Sequence, residues 1–269
     1  MQKLIVANWK MNPSTLQEAL ALGRACDKKG VVLCPPFPFL WPVANALEHA
    51  LLGAQDCSGE EGGSWTGQVS AGQIKDCGVK YIIIGHSERR RYFQEDDAMV
   101  AQKLATCLKA GLIPVLCVGE TQEEREAGLR DAVIAKQVQE GLKKLPHLIQ
   151  QNDLLGRPLL VRQRRIRLGR RKERGLAELV VAYEPVWAIG TGEACSPEEA
   201  AKAQSIIRQV ISRDFPQFFP ALKVIYGGSI KADNAHGFLI QEGLDGLLVG
   251  GSSLKAEEFI SIVSPPSIQ

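Results

Sequence analysis

Three short apolar runs of this chain are each followed at once by groups able to do acid–base chemistry: Glu184 after Leu179 to Tyr183, His86 and Glu88 after Tyr81 to Ile84, Asn8 and Lys10 after Leu4 to Ala7. A proton on a carbon beside a carbonyl is only weakly acidic. Removing it takes a carboxylate or imidazole base and a donor that stabilises the developing enediolate oxygen. Glu184 and His86 are of the right types, and Lys10 is a cation that could hold negative charge near an oxyanion or a phosphate. Taken singly, each has a structural reading as well: a lone histidine inside a fold, a lysine at a rim, and a glutamate that ends a strand before Pro185.

Glycines mark the same places. Gly85 follows the fourth apolar run, Gly190 and Gly192 lie beyond the sixth, Gly227-Gly228 follows the seventh and Gly250-Gly251 the eighth. In parallel α/β folds the carboxyl ends of strands form the ligand face, because N–H groups of the strand-to-helix turns point there. Glycine lets that backbone approach an anion closely. Gly227-Gly228-Ser229 and Gly250-Gly251-Ser252, from consecutive final strands, could together form one phosphate cup. Either pair alone reads equally well as a tight turn.

The elements that would carry these residues alternate along the whole chain. Strands are expected at Leu4 to Ala7, Val31 to Cys34, Leu51 to Ala54, Tyr81 to Ile84, Ile113 to Val118, Leu179 to Tyr183, Lys223 to Tyr226 and Gly246 to Val249. Helical periodicity lies between them, for example at Ser14 to Lys28, Asp96 to Lys109, Thr121 to Lys144 and Pro197 to Arg213. Ser196-Pro197-Glu198-Glu199 has the marks of a helix start: a capping serine, proline at the first helical position and acids in the first turn. Strands apolar on both faces suit a parallel sheet covered on both sides. Eight such alternations fit an open doubly wound sheet or a closed barrel, and periodicity does not choose between them.

One connection breaks the rhythm. Residues 145 to 176 separate the fifth helical region from the sixth strand, where ~2 to 6 residues are usual. Within this insertion Arg157 to Arg174 holds eight arginines, one lysine and a single acid, Glu173, a local charge of +8 that leaves the remainder at −6. A solvated loop is the plain reading of such a run, and binding to nucleic acid or an anionic surface is the rival.

Composition sets the outer bounds. The 269 residues are 45% hydrophobic and 23% charged, enough apolar side chain for a sizeable core and unlike a disordered chain. The net charge of +2 gives no overall pull toward nucleic acid or membrane. The apolar run from Leu112 to Val118 falls far short of the ~20 residues of a membrane helix, so a soluble intracellular protein is expected. Seven cysteines, an odd number without CxxC spacing, read as reduced core thiols and not as a disulfide framework or a zinc site.

The segments Asn8-Trp9-Lys10-Met11-Asn12, Gly85-His86-Ser87-Glu88-Arg89-Arg90, Ala182 to Gly192 (AYEPVWAIGTG), Tyr226-Gly227-Gly228-Ser229-Ile230 and Leu248-Val249-Gly250-Gly251-Ser252, in this order, resemble the signature segments of the triosephosphate isomerase family. The resemblance covers about residues 1 to 144 and 176 to 263. It implies a closed (β/α)8 barrel, a single domain over 1–269 that carries the basic insertion at 145–176. It implies the interconversion of dihydroxyacetone phosphate and D-glyceraldehyde 3-phosphate, with no metal and no organic cofactor. Glu184 would be the base, His86 an uncharged imidazole that polarises the carbonyl, and Lys10 the active-site lysine. Asn8 would be a neighbouring polar contact and Glu88 a supporting acid. Backbone N–H groups of Gly190, Ser229 and Gly251, with Gly250 beside them, would grip the phosphate. Pro185 to Thr191 would be a lid, needed because an enediolate phosphate exposed to water can expel its phosphate. The segment from Gln55 to Ser70 resembles the family's dimerisation loop, with Trp65 and Thr66 matched but Asp56 and Gln68 in place of the more usual Asn and Glu. A cytoplasmic homodimer is the expectation. The insertion, in a helix-to-strand connection, should lie on the face opposite the site and spare catalysis.

Overall fold

Each of the eight strands is a short, largely apolar run, buried along nearly its whole length. In a computed structural model, which describes residues 2–145, 178–190 and 194–264, they close on themselves. The strands are β1 (Leu4–Asn8), β2 (Val31–Cys34), β3 (Leu51–Ala54), β4 (Tyr81–Ile84), β5 (Ile113–Val118), β6 (Leu179–Tyr183), β7 (Leu222–Tyr226) and β8 (Gly246–Val249). Every neighbouring pair is parallel, and β1 pairs with both β2 and β8, so the sheet is a closed barrel in sequence order. Ring closure settles what periodicity left open.

The absence of alternation along the strands now has its cause, since both strand faces are buried in different cores. Leu4, Val6, Val32, Cys34, Ile83, Val115, Cys117, Val180, Ala182, Ile225 and Leu248 belong to a plug inside the barrel. Ile5, Ala7, Leu33, Ile82, Ile84, Leu116, Val181 and Val224 face outward into a second, larger cluster under the helices. Parallel barrels fill their interior with side chains in this way.

The helices are α1 (Leu16–Ala25), α2 (Leu40–Ala44), α3 (Ala71–Asp76), α4 (Ser87–Phe93), α5 (Asp97–Lys109), α6 (Gln122–Glu126), α7 (Arg130–Leu142), α8 (Pro197–Asp214), α9 (Ala235–Leu239) and α10 (Ala256–Val263). Ser196 caps α8 as its sequence indicates, and Glu199 completes a capping box. Two expectations need correction. The first helix is shorter than Ser14 to Lys28: Thr15 caps it and Cys26 ends it. The stretch from Thr121 to Lys144 is two helices, because Gly128 takes φ +71 and the Leu129 N–H turns back to the Glu124 carbonyl, ending α6. The insertion lies outside the described residues from 146 onward, and so do Thr191 and Gly192. Among the described residues no helix is long and apolar enough to cross a membrane. All seven cysteines are free thiols, six of them buried.

Candidate active site

The residues singled out from sequence meet at one mouth of the barrel. Asn8, Lys10, His86, Glu184, Gly190, Ser229, Gly250 and Gly251 all line one hollow of about 190 Å³ at the carboxyl ends of the strands. That is smaller than the ~300 to 1,000 Å³ usual for drug-sized ligands, and it suits a small molecule.

Glu184 directly follows β6, and its carboxylate is only 3% exposed. Two glycines make room for it: a Cβ on Gly119 would lie 1.9 Å from the Glu184 carbonyl oxygen, and one on Gly227 would lie 3.0 Å from its Cγ. One carboxylate oxygen stands 3.2 Å from His86 Nε2, and the other accepts a 3.4 Å bond from the Ser87 N–H. Burial first, and the Glu184 carboxylate second, push the neighbouring Cys117 thiol well up, so it stays protonated beside the acid.

His86 caps α4, and its Nδ1 accepts the Glu88 N–H at 3.2 Å. A neutral imidazole has one donor and one acceptor nitrogen, so this acceptor role assigns the ring proton to Nε2, the atom that faces Glu184. An N–H pointing into the hollow is what polarising a carbonyl requires.

Lys10 follows β1 with φ +54, a left-handed conformation that costs a non-glycine residue of order 1 kcal/mol or more. The surroundings hold it there. Its N–H donates to Asn8 Oδ1 at 3.1 Å, and Gln55 Nε2 donates to the Lys10 carbonyl at 2.7 Å and to the Cys34 carbonyl at 2.8 Å. Its ammonium meets Glu88 Oε1 at 2.5 Å. Glu88 thus stands behind the lysine and outside the hollow's lining.

The opposite wall is backbone. Among the described residues no acceptor meets the N–H groups of Gly190, Ser229 or Gly251. Donors left open in turns and at helix starts are suited to an anion. Ile189 and Gly190 at the end of the 186–190 turn line the hollow, and the turn is held by Ser229 Oγ donating to the Ala188 carbonyl at 2.6 Å.

The sequence reading missed the anchor of that turn. Glu120, fully buried after β5, accepts from Tyr183 Oη at 3.1 Å and from Trp187 Nε1 at 2.9 Å, and its carbonyl accepts the Val186 N–H at 2.9 Å. Burial, reinforced by the Glu120 carboxylate, raises the Tyr183 phenol far above its ordinary range and keeps it a donor. The signal was available: Gly119-Glu120 ends a strand, as do the acids that were noticed.

A mouth of this kind can shuttle a proton between carbons of a small bound anion, which sets the chain among the phosphate-binding barrel isomerases. Comparison with known proteins narrows the class. The sequence matches the family model of triosephosphate isomerase over residues 3–265. It is 41% identical to the triosephosphate isomerase of Alcanivorax borkumensis over 263 residues, 96% of each chain. Against that of Herminiimonas arsenicoxydans it is 39% identical over 97% of this chain and 98% of the relative, and against that of Dictyoglomus thermophilum 38% over the same shares. The chain belongs to the triosephosphate isomerase family and is an isomerase. This membership favours isomerisation over the reading of the arginine-rich run as a nucleic-acid or surface binder.

Proposed function

We propose that the protein interconverts dihydroxyacetone phosphate and D-glyceraldehyde 3-phosphate through an enediolate, with Glu184 carrying the proton between carbons one and two. The observation that carries this is the 3.2 Å approach of the Glu184 carboxylate to His86 Nε2, the nitrogen left as donor when Nδ1 accepts the Glu88 N–H, inside a hollow also lined by Gly190, Ser229 and Gly251. His86 Nε2–H donates to the oxygen on which charge develops, and the Lys10 ammonium, steadied by Glu88, adds a positive field on the same side. The amides of Gly190, Ser229 and Gly251, with Gly250 beside them, take the phosphate. Val186 to Gly190 covers the site, keeping water from the intermediate while the proton is returned.

Turnover of glyceraldehyde 3-phosphate, followed through a coupled dehydrogenase, tests the reading. Wild-type enzyme should turn over, and Glu184→Gln should lose nearly all activity while melting as the wild type does. Unchanged turnover in that variant would remove Glu184 as the base.

The working form is a homodimer in the cytoplasm. A cleft of about 410 Å³ between Trp65, Gln68, Arg89, Phe93 and Met99, with Trp65 and Phe93 more than half exposed, supports a second copy as its occupant. Asp56 is paired within its own chain, to Lys103 at 2.8 Å and to Arg89 at 2.9 Å. Sedimentation across a concentration series should show the dimer, and a monomer at every concentration would contradict it.

A further inference from the structure

Arg125, near the end of α6, faces neither the hollow nor the barrel core. Its guanidinium carbon lies 3.8 Å from the centre of the Trp187 ring, and its Nη2 donates to Glu199 Oε1 at 3.0 Å. These partners belong to two separate feet, the 186–190 turn and the start of α8. Trp187 is in the first turn after Pro185. Glu199, through its other oxygen, accepts the N–H of Ser196 at 3.1 Å, and Ser196 is the N-cap from which α8 begins. Five residues before Arg125, Glu120 accepts the Nε1–H of the same indole. The short segment 120–125 therefore reaches both feet, and Thr121, with its own capping box to Glu124, stiffens it.

A guanidinium stacked on an indole and bonded to a carboxylate is a geometry arginine makes well and lysine poorly, because the planar fork does both at once. The contact rests on a Trp187 already docked on Glu120 and fixes the indole in that position. With Trp187 held, the 186–190 turn stays seated on Ser229, with Ile189 and Gly190 at the hollow.

We propose that Arg125 is a positioning residue for the isomerisation, a clasp between Trp187 and Glu199 that keeps the 186–190 turn down over the enediolate. The proposal rests on the isomerase reading above and adds to it a residue that touches no reacting atom. Its mark is chemical: an intermediate less well covered loses its phosphate to solvent, so weakening the clasp changes the fate of turnovers as well as their number.

The test compares wild type, R125A, R125K and E199Q, the last because glutamine at this position still completes the Ser196 capping box. Isomerisation and inorganic phosphate release are measured on the same triose phosphate. Affinity for 2-phosphoglycolate, a two-carbon phosphorylated carboxylate shaped like the enediolate, is measured separately. R125A should raise the fraction of turnovers that release phosphate by about threefold and weaken the two-carbon mimic by about threefold, the scale of a solvent-exposed guanidinium–indole contact. R125K should fall between R125A and wild type, and E199Q should move both readouts the same way by less. An R125A enzyme with wild-type partitioning and wild-type mimic affinity would overturn the proposal. So would equal losses in R125A and R125K that only track a lower melting temperature. A wild-type enzyme without isomerase turnover would strike the functional reading instead, so the two failures are distinct.

Discussion

The two walls of the hollow are built on opposite plans. The wall from β1 and β4 works through side chains, and each is fixed by a neighbour: Lys10 by Asn8, Gln55 and Glu88, and His86 by the Glu88 N–H. The wall from β7 and β8 works through the lack of side chains, with Gly227-Gly228 and Gly250-Gly251 exposing main chain. Proton chemistry depends on one particular group at one place, so it needs locked rotamers. Holding a phosphate needs only several N–H groups that no side chain shields. The first wall should therefore fail through chemical identity, and the second through bulk.

Four substitutions sharpen this contrast, in descending order of expected effect. Glu184→Asp withdraws the carboxylate by one methylene and should lower kcat by about 10²-fold or more with little change in melting temperature, since misplacement by ~1 Å is costly. Steady-state kinetics beside a melting curve check it. Lys10→Met keeps the stem and removes the charge. It should cost about 10²-fold in kcat/KM, the range seen when an electrostatic group is taken from a developing anion. A loss confined to KM would make the lysine a substrate-binding cation only.

On the other wall Gly228→Ala puts a Cβ 2.0 Å from Tyr226 Oη, and that ring is buried and stacked on Phe238 at 4.1 Å between centroids. Tyr226 must shift, and its hydroxyl also accepts the Cys195 N–H at 3.3 Å. Overpacking of ~1 to 3 kcal/mol should appear as a melting point lower by several degrees and a KM raised about tenfold, with kcat affected less. Gly250→Ala is the stability control: its Cβ would meet only the flexible Lys10 side chain, Cε at 3.5 Å and Nζ at 3.9 Å, both ordinary contacts. Its melting temperature should stay within about a degree of the wild type, and a Gly250 variant as destabilised as the Gly228 one would break the bulk argument.

Much of the frame was legible beforehand because buried parallel strands write their limits in composition. Six of the eight strand ranges coincide with those expected, and β1 and β7 differ by one residue at an end. The helix ends were harder. The apolar spacing from Thr121 to Lys144 runs on across Gly128, and only the backbone shows that the chain reverses there. In the site, the residue types at strand ends were visible, but the approach of Glu184 to His86 depends on barrel closure, which no local pattern encodes. Glu120 escaped notice for a related reason. It is one acid among several before α6, and its burial under Tyr183 and Trp187 exists only once β5 and β6 lie side by side.

The division of the apolar side chains into an inner plug and an outer sheath also bears on how this enzyme can change. Leu248 and Cys117 of the plug adjoin the hollow and the base, so alterations there reach the reacting groups. Val138, Ile207 and Phe259 of the sheath belong to the buried faces of α7, α8 and α10 and take no part in the hollow's lining. Heat tolerance can then be tuned at outer positions remote from the site with turnover left alone, whereas Tyr183, Tyr226 and Trp187, also of the outer cluster, serve both ends at once.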